Sequence, residues 1–430
     1  MVKTSARALF QFLSDIPLFV WALAGFFLSH FFFFVYPVFL SAPAMQFLQG
    51  VPAADFAGAD LEQILSYSRS WLVEGKTPYI GQNLYPPLAS VFFAPLVFIE
   101  FTSAYRAVTI INFLLYTFSI LASSRLLRQE DRTPIKIVGA LEILLLAGGV
   151  FSYGFQFEIE RGQFNLIAVF LCLLGVWLFH HRERLRLLAY FLFTIAVQLK
   201  VYPFIFIFLF ISDWRDWKSN VKRTAGIAAA NILFLFALGP GAFMDFIAAL
   251  KKQSSYPFVW VGNHSIHSYL ALENSQTWLD GRFAAVKLLL LIVVVASVAT
   301  TAAAAYRQNR KGVDPQLLLA CSLGAMLIPS VSHDYKLSIL AAPTALLLSH
   351  LPSHDSAEGK ERARISLRIM ALVLSFAYFS TLYPPANKPP FLANNFPALM
   401  VMLFAAVGVS LLKLGKGNGR ETTLFPAGVE

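Results

Sequence analysis

Few side chains in this chain stand ready for ionic or acid–base chemistry away from compact basic runs. Asp55, Asp60, Glu158, Glu160, Arg161, Lys200, His264, His333 and Asp334 are isolated ionisable residues close to apolar segments. Such groups are costly near a bilayer, so each asks for a reason. A carboxylate such as Asp60 can take a proton from a sugar hydroxyl. It can also cap a helix, with Gln63 completing the capping box. Asp55 is its neighbouring competitor. Arg161 offers a planar fork to a phosphate or carboxylate, or pairs with Glu158 or Glu160 across a hairpin turned at Gly162. Gln163 and Asn165 offer donors and acceptors to a sugar. Lys200 either snorkels to the interface or stands as a fixed cation that stabilises a departing phosphate. His333 beside Asp334 suits a proton acceptor, a hydrogen-bond donor or an ordinary loop pair.

Metal chemistry has little support. His264 and His267 are three apart, but no acidic or Cys ligand lies close in sequence. Cys172 and Cys321, the two cysteines, fall in apolar runs and read as buried small hydrophobes. No Walker loop occurs, and no GxGxxG follows a strand pattern, so no nucleotide machinery is expected. Energy for any reaction would then arrive in the substrate. A lipid-phosphate-linked donor suits a long apolar cavity with a carboxylate and cations at one side.

The elements that must hold these groups follow from composition. Of 430 residues, 57% are hydrophobic and 13% charged. Soluble proteins carry about 25% charged residues. That excludes a single soluble enzyme, and a disordered or fibrous chain with it. The 42 Phe and 7 Trp fit lipid-facing and interfacial positions. The pattern predicts an all-α membrane protein with about twelve transmembrane helices, the first from Ile16 to Leu40. Residues 1–430 form one membrane domain in this reading. Residues 41–87 make a first outer loop, in which Leu61, Ile64, Leu65, Trp71 and Leu72 predict an interfacial helix. Residues 240–282 make another outer loop. Several apolar runs are too short to cross, most clearly on either side of Lys200-Val201-Tyr202-Pro203.

The net charge of +10 is a sidedness signal rather than a nucleic-acid patch. Compact runs such as Arg182-Glu183-Arg184-Leu185-Arg186 fall on one side, which the charge rule makes cytoplasmic together with both termini. The isolated groups named above then share the outer side. Twelve spans with broken helices also suit a transporter or glycolipid flippase. Against that, the chain has no visible internal repeat, and its isolated charges gather on one side rather than at the midplane.

At these residues the chain resembles the membrane-embedded GT-C glycosyltransferases, specifically glycosyltransferase family 87. The resemblance rests on ordered pieces. Asp60 precedes Gly75-Lys76-Thr77-Pro78-Tyr79. Then come Leu84-Tyr85-Pro86-Pro87-Leu88, Arg161-Gly162-Gln163-Phe164-Asn165, Lys200-Val201-Tyr202-Pro203, Asn263-His264-Ser265 and a late His333. The family often has Asp-Phe in the first loop, which Asp55-Phe56 supplies here, while Asp60 has the better spacing to Gly75. The resemblance implies a metal-independent, cofactor-free, inverting transfer of a sugar, mannose by family, from a polyprenyl-phosphate donor to a glycolipid or glycan acceptor. It implies Asp60 as base, His333 as assistant, and Arg161 and Lys200 on the lipid phosphate. Gln163, Asn165, Tyr202, Asn263, His264 and Asp334 complete the expected substrate-binding set. A bacterial plasma membrane with an outward-facing site is the implied location.

Overall fold

The computed structural model describes residues 11–36, 56–81, 83–126, 139–255, 258–274, 281–307, 312–349, 351, 361–385, 388 and 392–417. Asp55 lies outside them, as does the end of the first expected span. Among the described residues the architecture is helical, and the strand-like pairing is an isolated antiparallel bridge between Asn263 and His333.

The helices are α1 (Leu18–His30), α2 (Ala59–Leu72), α3 (Pro87–Phe93), α4 (Phe101–Leu126), α5 (Ala140–Val150), α6 (Tyr153–Arg161), α7 (Asn165–His181) and α8 (Arg186–Leu199). They continue as α9 (Trp217–Phe234), α10 (Gly239–Ser255), α11 (Ile266–Asn274), α12 (Phe283–Arg307), α13 (Pro315–Leu327), α14 (Ala341–Ser349), α15 (Glu361–Ser380) and α16 (Phe396–Gly417). Tighter 3-10 segments at Ala94–Phe98, Tyr202–Phe210 and Asp334–Leu340 link some of them.

Three described helices are long and apolar enough to cross a membrane: Leu18–Val35, Phe101–Ala122 and Phe283–Arg307. Counting each bent pair as one span gives up to five; α6 and α7 meet at 108°, α9 and α10 at 101°. This is fewer than the sequence expectation of twelve, for a definite reason. α8 has 14 residues and α13 has 13, and a helix that long rises about 20 Å against about 30 Å of hydrocarbon. The apolar run after Lys200 is not an α-helix at all, because Pro203 opens a 3-10 segment.

Most buried side chains form one apolar core, built largely from α6–α8, α13–α16 and the 3-10 segments. A second, smaller core lies under α2, where Leu61, Ile64 and Leu65 pack with Phe93, Ala104, Val108 and Phe164. The apolar stripe expected on α2 is therefore spent on protein contacts, while Leu72 at its far end is exposed.

The breaks in the helices are what position the polar residues. α6 ends at Gly162, which takes a left-handed φ of 64° and turns the chain into α7. α2 begins at Gly58, also left-handed at 85°. These two turns lie against each other. A Cβ on Gly162 would come within 2.9 Å of Leu61 Cβ and 3.2 Å of Gly58 Cα, and Gly58 N donates to Glu160 O at 2.7 Å. The close approach lays the first turn of α2 on the α6–α7 corner.

Candidate active site

Asp60 sits in the first turn of α2, where the helix dipole favours a negative charge. It is not the cap: Gly58 holds that position and no side chain caps the helix. The carboxylate is free to face the corner instead. Its Oδ2 accepts a hydrogen bond from Gln163 Nε2, and Oδ1 lies 3.9 Å from the Arg161 guanidinium. Arg161 also pairs with Glu160 at 3.1 Å and stacks over Phe157.

Gln163 is buried beside the corner and touches both Asp60 and Lys200. Its Oε1 accepts from Lys200 Nζ at 2.6 Å. Its main-chain carbonyl accepts from Asn112 Nδ2 at 2.6 Å, so α4 anchors it from within the bundle. Lys200 follows α8 in extended backbone, a conformation suited to the break before Pro203. The side chain is 6% exposed. Its ammonium faces the rings of Phe164 (4.2 Å), Tyr85 (4.7 Å) and Tyr335 (5.8 Å). Burial pulls its pKa down to about 8, against smaller opposing effects of Glu158 and Asp60. Tyr85 is held by its own loop, in which Asn83 Nδ2 donates to Pro78 O and Tyr79 OH donates to Tyr85 O. That loop reaches α10 through Thr77 and Asp245 at 2.7 Å.

Opposite lies the segment after α13. His333 is clasped by Phe258, Trp260 and Tyr335, with ring centroids 5.4–5.6 Å away. Its Nδ1 is buried without a hydrogen-bond partner. Burial first, and the charge of Lys336 second, drive its pKa down to about 3, so the ring is neutral near pH 7. Asn263 pins this segment: its Oδ1 accepts from Ser332 N at 2.9 Å and from Ser265 N at 3.2 Å.

Behind His333 runs a buried polar chain. Lys336 Nζ donates to Val331 O at 3.0 Å and to Ser332 Oγ at 3.3 Å. Ser332 Oγ meets His264 Nε2 at 3.0 Å, and His264 Nδ1 meets Asp334 Oδ1 at 2.8 Å. The carboxylate accepts from Nδ1, which leaves Nε2 to accept from Ser332. Lys336 also sits 5.0 Å above the Tyr202 ring, and burial lowers its pKa to about 7. Tyr202 OH donates to Asn165 Oδ1 at 3.3 Å.

A cavity of about 1010 Å³ opens between these elements. Asp60, Gln163, Lys200, Tyr202, His333 and Lys336 line it, as do Tyr85 and Tyr335. Most of its remaining wall is apolar and includes Ile205, Phe208, Val298 and Ile328, with Gln63, Gln253 and Ser330 as polar exceptions. Of the residues expected from sequence, Asp60, Gln163, Lys200, Tyr202 and His333 thus meet on one cavity. Arg161, Asn165, Asn263, His264 and Asp334 are not among its lining residues. Arg161 stands beside Asp60, and the other four brace the walls. Among the described residues no three His, Cys, Asp or Glu side chains gather as a metal set.

Sequence reasoning gave no role to Tyr85, Tyr335, Lys336, Ser332 or Asn112. Tyr85 lies inside the Leu84–Leu88 motif, and Lys336 follows the His333-Asp334 pair without standing out from any flanking lysine. Asn112 carried one usable signal, an amide in the middle of an otherwise apolar span.

A helical membrane protein with a carboxylate, buried ammoniums and an apolar wall around one cavity has the parts of a group transferase for amphipathic substrates. Residues 83–332, more than half of the chain, match glycosyltransferase family 87, and the protein belongs to that family. It is accordingly a membrane glycosyltransferase. Arg161, Gln163, Lys200 and Asn263 fall within the matched region, while Asp60 precedes it and His333 follows it directly. The chain has no match among curated proteins.

Proposed function

We propose that this protein transfers a sugar, mannose by the resemblance drawn above, from a polyprenyl-phosphate-linked donor to an acceptor hydroxyl outside a bacterial plasma membrane. The whole chain acts as one membrane domain, with both termini cytoplasmic, about twelve apolar segments in the bilayer and α2 at the outer interface. The observation that carries this reading is the composition of one cavity: Asp60, Lys200 and Lys336 share it with an apolar wall.

The isoprenoid tail lies along Ile205, Phe208, Val298 and Ile328, and the donor phosphate meets Lys200 and Lys336. The acceptor oxygen attacks the anomeric carbon from the face opposite the phosphate. Asp60 takes the hydroxyl proton as that bond forms, and the carbon–oxygen bond to phosphate breaks with its electron pair going to the phosphate. The ammoniums pair with the charge that grows on the leaving oxygen, so they act mainly at the transition state. Arg161 balances Asp60 from the side away from the substrate. Neutral His333 offers a hydrogen bond to donor or acceptor.

Purified protein in nanodiscs, given a panel of polyprenyl-phosphate sugars and nucleotide sugars, tests the reading. Transfer from a polyprenyl-phosphate sugar alone is expected, and Asp60→Asn should lower the rate by about 10²–10⁴-fold, the range for a lost general base. Transfer from a nucleotide sugar, or an undiminished rate in Asp60→Asn, would overturn it.

A further inference from the structure

Gln163 hydrogen-bonds both the Asp60 carboxylate and the Lys200 ammonium on the cavity wall. Its amide polarity is fixed by chemistry. An ammonium can only donate, so Oε1 must face Lys200; an ionised carboxylate can only accept, so Nε2 must face Asp60. The amide cannot turn over without setting donor against donor at one end and acceptor against acceptor at the other. Its backbone is equally constrained. Gln163 N donates to Glu158 O at 2.9 Å, and its carbonyl is held by Asn112. The side chain is 1% exposed.

We infer that Gln163 is a positioning residue that couples the base to the donor cation, rather than a direct sugar ligand. The inference rests on the reading of Asp60 and Lys200 given above. A polarised amide between two charges strengthens both hydrogen bonds, as in other buried networks. Loading Lys200 with a phosphate weakens its pull on Oε1, and the amide transmits that change to Asp60. The acceptor's base and the donor's anchor therefore respond as one unit.

The surroundings of Asp60 allow the effect to be isolated. From α6, Arg161 faces it, with Glu160 and the buried Glu158 on the same helix. Tyr85, Lys200 and Tyr335 feel its charge across the cavity, and Glu62 follows on its own helix. α3 and the Ala94–Phe98 segment, which pack on α2, carry no titratable side chain. Changing Gln163 alters none of these charges.

Gln163→Met keeps the length and removes both polar contacts. Gln163→Glu keeps an acceptor for Lys200 and turns a carboxylate toward Asp60. The double-mutant cycle of Gln163→Met with Lys200→Met is read in transfer rate. Each single change should lower kcat about tenfold or more, and the double should be no worse than about threefold below the poorer single, as for residues acting as a unit. The acid limb of kcat/KM against pH should move upward in Gln163→Met and further in Gln163→Glu, since a carboxylate that loses a donor or gains a like charge ionises less readily. A second readout needs no turnover: labelling of Asp60 by dicyclohexylcarbodiimide, followed by mass spectrometry, should begin at a higher pH in both variants than in wild type. Multiplicative losses in the cycle with an unmoved acid limb would overturn the coupling, as would an unmoved labelling onset. Wild-type protein inactive with every polyprenyl-phosphate donor, yet with the labelling shift intact, would instead sink the proposed function and leave the coupling standing.

Discussion

Lys200→Met isolates the charge of the proposed donor anchor from its packing. Met keeps an unbranched chain of similar length against Phe164, Tyr85 and Tyr335, so the aromatic contacts are largely retained. In the wild type, burial lowers the Lys200 pKa from 10.5 to about 8, which corresponds to about 3 kcal/mol against holding the charge in the empty site. Removing the ammonium relieves that cost. Against it stand the lost cation–π contacts, about 0.5–2 kcal/mol, and the orphaned Gln163 Oε1, about 1–3 kcal/mol. The effects on stability nearly cancel, so thermal unfolding in detergent should shift by only a few degrees. Catalysis has no such compensation. An ammonium about 4 Å from a phosphate oxygen contributes about 4 kcal/mol at an effective dielectric constant of about 20. Losing one preorganised donor to a developing oxyanion costs about 10²–10³-fold in kcat. Initial rates with a radiolabelled polyprenyl-phosphate sugar, titrated in donor, should show that fall in kcat/KM for donor. A value within threefold of wild type, in protein that unfolds at the normal temperature, would refute the role of Lys200 and the energetic reasoning behind it.

The pH profile should fall on its alkaline side: Lys336 and Lys200, lowered by burial to about 7 and about 8, lose their charge as pH rises through that range, and kcat/KM for donor should decline with it. Stability should respond on the acid side. His333 has a folded value of about 3 against 6.5 unfolded, so the unfolded chain binds a proton that the folded one refuses; the contribution is complete above 6.5 and is lost progressively as pH falls toward 3, which thermal unfolding between pH 7.5 and 5 will register. Gly162→Ala should destabilise by at least about 1–2 kcal/mol, because the residue has φ 64° and its new methyl meets Leu61 Cβ at 2.9 Å; a lower unfolding temperature with reduced transfer is the expected result. Topology can be read with an impermeant maleimide in intact cells, since Cys172 and Cys321 are both buried. Lys76→Cys, with a well-exposed side chain, should label from outside, and Arg215→Cys should not.

Much of the site was legible because charge is scarce in this chain, so Asp60, Lys200 and His333 stood out one by one. Their sharing one side was legible in the charge pattern, but the contacts that seat them on one cavity were not, because these join residues far apart in sequence. Lys200 reaches Gln163 and Tyr85, and α2 lies on the α6–α7 corner through Gly58 and Gly162; the turn at Gly162 was legible, but its packing against Gly58 was not. The number of described helices long enough to cross differs from the number of apolar runs for a related reason. Hydropathy registers apolar runs but not the 3-10 geometry after Pro203, nor the bend at Gly162. His264 and Asp334, which the resemblance assigns to the substrate-binding set, lie fully buried behind His333, where Asp334 pairs with His264, His264 meets Ser332, and Ser332 accepts from Lys336. Lys336 was overlooked because it resembles any flanking lysine until Tyr202 and Ser332 are seen around it.

Glu158 shows why an isolated carboxylate near a membrane does not have to be catalytic. Breaking a helix inside an apolar bundle frees backbone donors that water cannot satisfy. At the start of α7 the residue in the cap position, Phe164, has no side chain able to help. Glu158 reaches forward from α6 and accepts from Leu166 N at 3.0 Å, while its other oxygen accepts from the hydroxyl of Ser338. One acid thereby caps the helix after the break and ties the corner to the Asp334–Leu340 segment. The corner fixes Gln163, and that segment follows directly on His333 and carries Lys336. The breaks therefore do two jobs with one set of residues. They turn polar side chains into the cavity, and the backbone groups they expose recruit buried acids and amides that hold those side chains still. Asn112 on the Gln163 carbonyl does the same at this corner, and Asn263 on Ser332 N does so after α13. In such a site several buried polar residues brace the wall without lining the cavity, as Glu158, Asn112 and Asn263 do.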